Sequence, residues 1–199
     1  MIPIVLLDMD GVVCSFVDHA LKTHGREDVI IKDWNIEKQL GMTKEQFQEP
    51  INEGGAWWWR SMPELTWCKK VVQLASTASD EFYFCSSPAH YFGASDGKAL
   101  WLRDRLGTWF DLMIFTKHKH VLAKPGTVLI DDSERNCNRF IACGGDAVLF
   151  PAAWNSLGVM KQPEVYLEEE LEALSEKFDR ITQKETCQQG DEDFCRWRY

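Results

Sequence analysis

Residues 2–7, IPIVLL, form a short unbroken apolar run that ends directly on Asp8-Met9-Asp10-Gly11. A run of this length with no polar alternation fits a strand covered on both faces, as in a parallel sheet. The two carboxylates and the glycine that follow constrain the chain further. In an open parallel α/β sheet, ligands bind beyond the carboxyl ends of the strands. Asp8 and Asp10 are therefore expected on a binding rim and not inside a core.

The same grammar recurs along the chain. Residues 14–24 and 66–79 carry helical stripes. Residues 81–85 (EFYFC) read as a strand ending at Ser86-Ser87-Pro88, and 95–107 as a helix. Residues 111–115 (DLMIF) read as a short strand, and 127–130 (TVLI) as a buried one ending at Asp131-Asp132. A helix over 133–143 is closed by Gly144-Gly145, and 146–150 (DAVLF) make a further strand. Strands alternating with helices predict an α/β fold, a Rossmann-like parallel sheet flanked by helices. Residues 17–66 break the pattern: they are polar, rich in Trp and punctuated by Gly and Pro. They are expected to form a small, mainly helical cap inserted after the first strand. The catalytic core is then 1–16 with 67–160. Residues 161–199 form a C-terminal helix and tail packed on it. In that helix, read over 164–184, Val165, Leu167, Leu171, Leu174, Phe178 and Ile181 make the apolar side. The final CQQGDEDFCRWRY reads as a loose polar end.

Four strand ends carry polar groups: Asp8 with Asp10, Ser86 with Ser87, Lys117 with Lys119, and Asp131 with Asp132. Parallel topology should bring them to one rim. Asp8, Asp131 and Asp132 would then make a carboxylate patch whose charges repel. A hard divalent cation resolves that repulsion, and an all-oxygen site with few carboxylates suits Mg²⁺. Asp8 and Asp10 stand two apart and share a strand face. One carboxylate can attack phosphorus, and the other can move the proton. Gly11 lets the chain turn beneath a phosphate. Taken singly, an Asp pair after a strand is a common turn, and Asp131-Asp132 would also serve to cap the next helix. The four ends together point to catalysis.

Asp8-Met9-Asp10-Gly11-Val12-Val13 after an apolar strand resembles motif I of the haloacid dehalogenase superfamily. Ser86 after EFYFC resembles its motif II, a Lys in TKHKH its motif III, and Asp131-Asp132 after TVLI its motif IV. The resemblance implies Asp8 as nucleophile, Asp10 as acid and base, and Ser86 as phosphate ligand. It also implies a charge-neutralising lysine, Lys119 ahead of Lys117 and Lys124, and Mg²⁺ held by Asp8, Asp10 through its carbonyl and Asp132, with Asp131 in support. Within the superfamily, DMDGVVCSF, FCSSP and VLIDDS are similar to segments of the 5′(3′)-deoxyribonucleotidases, with Phe16 in the place of a substrate-pocket aromatic. That resemblance implies a phosphomonoesterase acting on (deoxy)ribonucleoside monophosphates through an aspartyl-phosphate.

Phe16, Trp34, Trp58 and Trp59 are candidates for gripping a flat base, with Ser87 and Arg60 as further substrate contacts. Ordinary packing is the competing reading for each aromatic, and a surface position for Arg60. Three adjacent Trp, residues 57–59, cannot all be buried on one side of an element, so at least one is expected exposed or in a pocket. His118 and His120 lack the companion ligands of a metal site. The formal net charge of −9 argues against a nucleic-acid polymer as partner. The seven Cys show no CxxC pair and fit free thiols in a reducing compartment. With no basic leader and no long apolar stretch, the expected location is cytoplasmic and away from membranes. The oligomeric state is left open, a homodimer included. Two other functions fit the same residues: a phosphatase for another small ester such as a sugar phosphate, and a phosphate-binding module without turnover.

Overall fold

The computed structural model describes the backbone of residues 1–88 and 92–196, and the side chains in those ranges apart from 108–110 and 184–196. The described residues form five strands: β1 (Ile2–Leu7), β2 (Ser79–Ser86), β3 (Met113–Phe115), β4 (Thr127–Asp131) and β5 (Asp146–Leu149). They form one all-parallel sheet in the order β3-β2-β1-β4-β5. Helices α1 (Phe16–Thr23), α2 (Ile36–Gln39) and α3 (Lys44–Arg60) follow β1 and contribute no strand to the sheet. Helices α4 (Cys68–Thr77), α5 (Ala94–Leu106), α6 (Glu134–Ala142) and α7 (Pro163–Arg196) connect or follow the remaining strands.

The apolar runs do what their lack of alternation requires. Val5 and Leu7 face one core, which also holds Phe84, Val128 and Ile130. Leu6 faces the other, with Cys85, Leu129 and Phe140 of α6. Helices thus cover both faces, and β1 lies at the centre, paired through Leu7 to Phe84 on one side and Ile130 on the other. The chain steps outward from β1 to β2 and β3, then returns to β4 on the opposite flank of β1. The reversal opens a crevice at the carboxyl ends of β1 and β4, where Asp8, Asp131 and Asp132 stand.

Three expectations shift. Strand β3 is shorter than 111–115, because residues Gly107–Leu112 turn in a 3-10 helix and the edge strand pairs with β2 through three residues alone. The C-terminal helix does not stop at 184: its backbone runs to Arg196. Residues 185–196 contain one Gly and no Pro, so nothing there breaks a propagating helix. Finally, Leu167, Leu171 and Phe178 of α7 are buried, but Val165 and Ile181 are exposed, so the buried stripe is narrower than the apolar pattern. Lys70 of α4 pairs with Glu168 at 3.2 Å, and Lys177 with Asp146 at 2.5 Å, along the edges of that contact. Cys187 and Cys195 lie outside the described side chains. Among the described residues, no helix is long and apolar enough to cross a membrane.

Helix α3 begins with a capping box, Thr43 with Gln46, and its dihedrals leave the helical range at Gly55. It packs on α5 at very short range. A Cβ on Gly97 would run into the Ala56 carbonyl and the Trp59 Cβ. That approach brings Trp59 of α3 beside the residue after Gly97, which is Lys98.

Candidate active site

Asp8 leaves the end of β1 with its amide bonded to the Ile130 carbonyl at 2.9 Å. The turn after Asp10 is made by Gly11 at φ +80°. Any Cβ there would run into the Asp132 carboxylate and the Trp154 ring. The motif I glycine is therefore required both by its dihedral and by the close approach of the β4 end.

Lys119 comes from a 3-10 turn over Lys119–Leu122 and is buried. Its ammonium lies 2.7 Å from Asp8 Oδ1 and 2.6 Å from Asp131 Oδ2. Asp131 also accepts from the Ser133 amide at 2.9 Å and from the Asn136 side chain at 3.0 Å. Ser133, not either Asp, caps α6 through its hydroxyl. Asp132 Oδ2 accepts from the Trp154 indole at 2.8 Å, and Asn155 holds the Asp132 carbonyl at 2.9 Å. Of the other two lysines considered, Lys117 lines the cleft and is exposed, while Lys124 is at the turn before β4.

A second buried lysine is present that strand-end reasoning does not find. Lys98, in the middle of α5, is fully buried. Its ammonium donates to Asp10 Oδ2 at 2.5 Å, to the Ser86 hydroxyl at 2.9 Å and to the Ser87 carbonyl at 3.0 Å. It also lies 4.9 Å from the centre of the Trp59 ring. Motifs I and II are thus tied together by one cation. Cys14 adds weak donation to Asp10 Oδ1, at 3.6 Å.

The electrostatics follow from burial. Loss of water pushes the Asp8 carboxyl up to about 7 against the pull of Lys119, and Asp131 and Asp10 add to the rise. Burial, then Asp131 and Asp8, raise Asp132 well above the usual carboxylate range. Burial works against the Lys119 ammonium, but Asp131 and Asp8 outweigh it and hold its pKa above the ordinary lysine value. Oxygens of Asp8, Asp131 and Asp132 all lie within 4.8 Å of one another. Three buried carboxylates facing one ammonium leave excess negative charge, and a hard divalent cation with oxygen ligands fits that donor set.

The site opens into a cleft of about 650 Å³. Asp8, Asp10, Lys119, Asp132 and Ser87 line it from the core, and Phe16, Trp34 and Trp59 from the aromatic side. Phe16 stacks on Trp59 with centroids 5.5 Å apart, and lies 6.1 Å from Trp34. Trp34 is 48% exposed and tilts against Trp154 at 5.4 Å, which places it beside the indole that holds Asp132. The other two substrate candidates sit elsewhere. The Trp58 indole donates to Thr23 at 2.8 Å, its ring packed on His19. Arg60 pairs with Asp104 at 2.6 Å and covers Trp57, which is the exposed member of the Trp triplet. His118 lines the cleft mouth, and His120 accepts from Arg139.

Residues 2–157 match the model of the family described as 5′ nucleotidase, deoxy (pyrimidine), cytosolic type C protein. None of the curated proteins matches the chain in sequence. Among solved structures, a haloacid dehalogenase-like family hydrolase from Xanthomonas campestris aligns with a TM-score of 0.57 at 11% identity, over 88% of this chain and 94% of that one. A HAD family enzyme from Bacteroides thetaiotaomicron, in complex with magnesium and inorganic phosphate, aligns with a TM-score of 0.46 at 17% identity, over 78% of this chain and 97% of that one.

Proposed function

Because the chain belongs to the cytosolic type C 5′-deoxynucleotidase family of haloacid dehalogenase-like phosphatases, we propose that it hydrolyses nucleoside monophosphates, deoxyribonucleotides foremost, through a phosphorylated Asp8. The observation that carries this reading is the convergence of Asp8, Asp10 and Lys119 at the floor of a cleft walled by Phe16, Trp34 and Trp59, with Lys98 buried behind Asp10. The floor suits a phosphoryl group and the wall suits a base.

In this reading an Asp8 carboxylate oxygen attacks phosphorus, and the ester P–O bond breaks as the new P–O bond forms. Asp10, oriented by Lys98, gives a proton to the departing sugar oxygen. The resulting Asp10 carboxylate then takes a proton from the water that attacks the aspartyl-phosphate. Phosphate leaves and Asp8 is regenerated. Lys119 offsets charge on Asp8 and on the transferring group. Ser87, which lines the cleft, would meet a phosphate oxygen, and the Ser86 hydroxyl, buried and accepting from Lys98, would stand behind it. Mg²⁺ is the cation we assign to Asp8, Asp132 and the Asp10 carbonyl, with Asp131 in support, and when bound it would neutralise phosphoryl charge. Phe16, Trp34 and Trp59 hold the base and keep water out. The substrate is a small molecule and not a polymer, in keeping with the acidic chain, and the compartment is the cytoplasm.

The test is phosphate release from ribo- and deoxyribonucleoside monophosphates and from sugar phosphates, in Mg²⁺ and in EDTA, with wild type and Asp8→Asn. Metal-dependent release from deoxynucleotides, reduced at least about 10⁴-fold by the substitution, is the expected result. Release from sugar phosphates alone would keep the mechanism and discard the substrate. Release unaffected by Asp8→Asn would overturn the mechanism, and no release from any ester would leave a phosphate-binding module.

A further inference from the structure

One charge feature of the cleft exceeds what a single phosphate needs. Beyond the catalytic groups, its rim carries Lys44, Lys117, Arg135 and Arg139, with Glu37 as the acid among them. The chain as a whole has a net charge of −9. Chance scatter on such a surface would favour acids at the rim, not a ring of cations. None of the four is in an ion pair among the described residues. All four are exposed.

Local structure does not account for them. Lys44 is the first residue of α3 and Arg135 the second of α6. A positive charge in the first turn opposes the helix dipole. The acid that each helix start does need is the neighbour: Glu45 in α3, and Glu134 in α6, which accepts from the Ser156 amide at 3.0 Å. The acids therefore serve the helices, and the cations face the cleft. Arg139, one turn beyond Arg135, is steadied by His120 at 3.1 Å. In the proposed reaction the reacting phosphate meets Lys119 and Ser87, so the rim cations call for a second anionic group on the same ligand.

We propose that the preferred substrate carries a second phosphate, as a nucleoside 3′,5′-bisphosphate does, bound by Lys44 and Arg135 with Lys117 and Arg139 around them while the first phosphate reacts at Asp8. The proposal rests on the nucleotidase reading above. Guanidinium and ammonium groups at a cleft mouth form charge-assisted contacts with phosphate that water weakens without removing.

The experiment compares thymidine 3′,5′-bisphosphate with thymidine 5′- and 3′-monophosphates on wild type and on the Lys44→Ala/Arg135→Ala double variant, at low and at raised salt. The expected kcat/KM ratio of bisphosphate to the better monophosphate is at least about tenfold in wild type. It should fall toward one in the double variant and with added salt. A wild-type ratio of one or below, or a ratio unmoved by the double substitution, overturns the proposal. Calorimetric binding of the same compounds to Asp8→Asn in Mg²⁺ separates this from failure of the parent reading. A tenfold bisphosphate preference there, with no turnover in wild type, would sink the hydrolase and keep the second-phosphate site.

Discussion

In the proposed reaction Lys98 orients Asp10, the residue assigned to proton transfer. A buried ammonium within 2.5 Å of one carboxylate oxygen, itself pinned by the Ser86 hydroxyl and the Ser87 carbonyl, fixes where that carboxylate points. Lys98→Met keeps the stem and removes the charge. It should lower turnover of nucleotides by up to about 10²–10⁴-fold, the usual weight of positioned proton transfer. It should also cost stability of about 3 kcal/mol, because a buried pair loses one partner. The diagnostic is the leaving group. An aryl phosphate needs little protonation, so its hydrolysis should suffer several-fold less than that of a nucleotide. Equal losses on both esters would assign Lys98 to folding alone. Asp8, Asp10, Ser86 and Asp131-Asp132 were legible because each ends an apolar run at the rim of a parallel sheet. Lys98 ends no strand. Its one trace in the sequence is that Lys98 shares the helical stripe of Ala94, Trp101 and Leu102, all buried. Trp154 left no trace at all, since its bond to Asp132 depends on the loop after β5.

At the scale of elements, the site depends on how α3 rests on α5. Gly97 permits the contact, and Trp59 and Lys98 stand on its two sides. Gly97→Ala raises helix propensity but must push α3 away from α5. Overpacking of this kind costs about 1–3 kcal/mol, more than the roughly 1 kcal/mol an alanine gains in a helix interior. Net destabilisation in urea melts is expected, with KM for the nucleotide raised because Trp59 and Phe16 move together. A variant as stable as wild type would show that α3 shifts freely. The sequence disclosed β1, β2 and β4 because runs buried on both faces need no context. It blurred β3, an edge strand whose three paired residues depend on β2. The glycines that punctuate residues 17–66 do mark a break, since the backbone of α3 leaves the helical range at Gly55.

For the whole molecule, the carboxylate cluster is a standing cost that a bound cation would relieve. Asp8 is raised from 3.8 to about 7, chiefly by burial. A carboxyl whose pKa rises on folding binds its proton more tightly in the folded state. Its stabilising influence is then complete below about 3.8, and is lost as pH climbs to about 7. Above that, the folded protein carries a buried charge worth about 4 kcal/mol of destabilisation at 1.36 kcal/mol per unit. Asp8→Asn removes the charge while Lys119 keeps Asp131. In EDTA at pH 8 the variant should therefore melt above wild type, by roughly 5–15 °C for a chain of this size. The gap should narrow steadily as pH falls from 7 to 4, where wild-type Asp8 is protonated in the folded state. Mg²⁺ should raise the wild-type melting temperature at pH 8 and leave the variant less changed, because Asn is the poorer ligand. Thermal scans of both proteins across that pH range, with and without Mg²⁺, decide it. If the variant melts below wild type in EDTA at pH 8, the Asp8–Lys119 contact at 2.7 Å outweighs the cost of burial, and the site is preorganised without a cation.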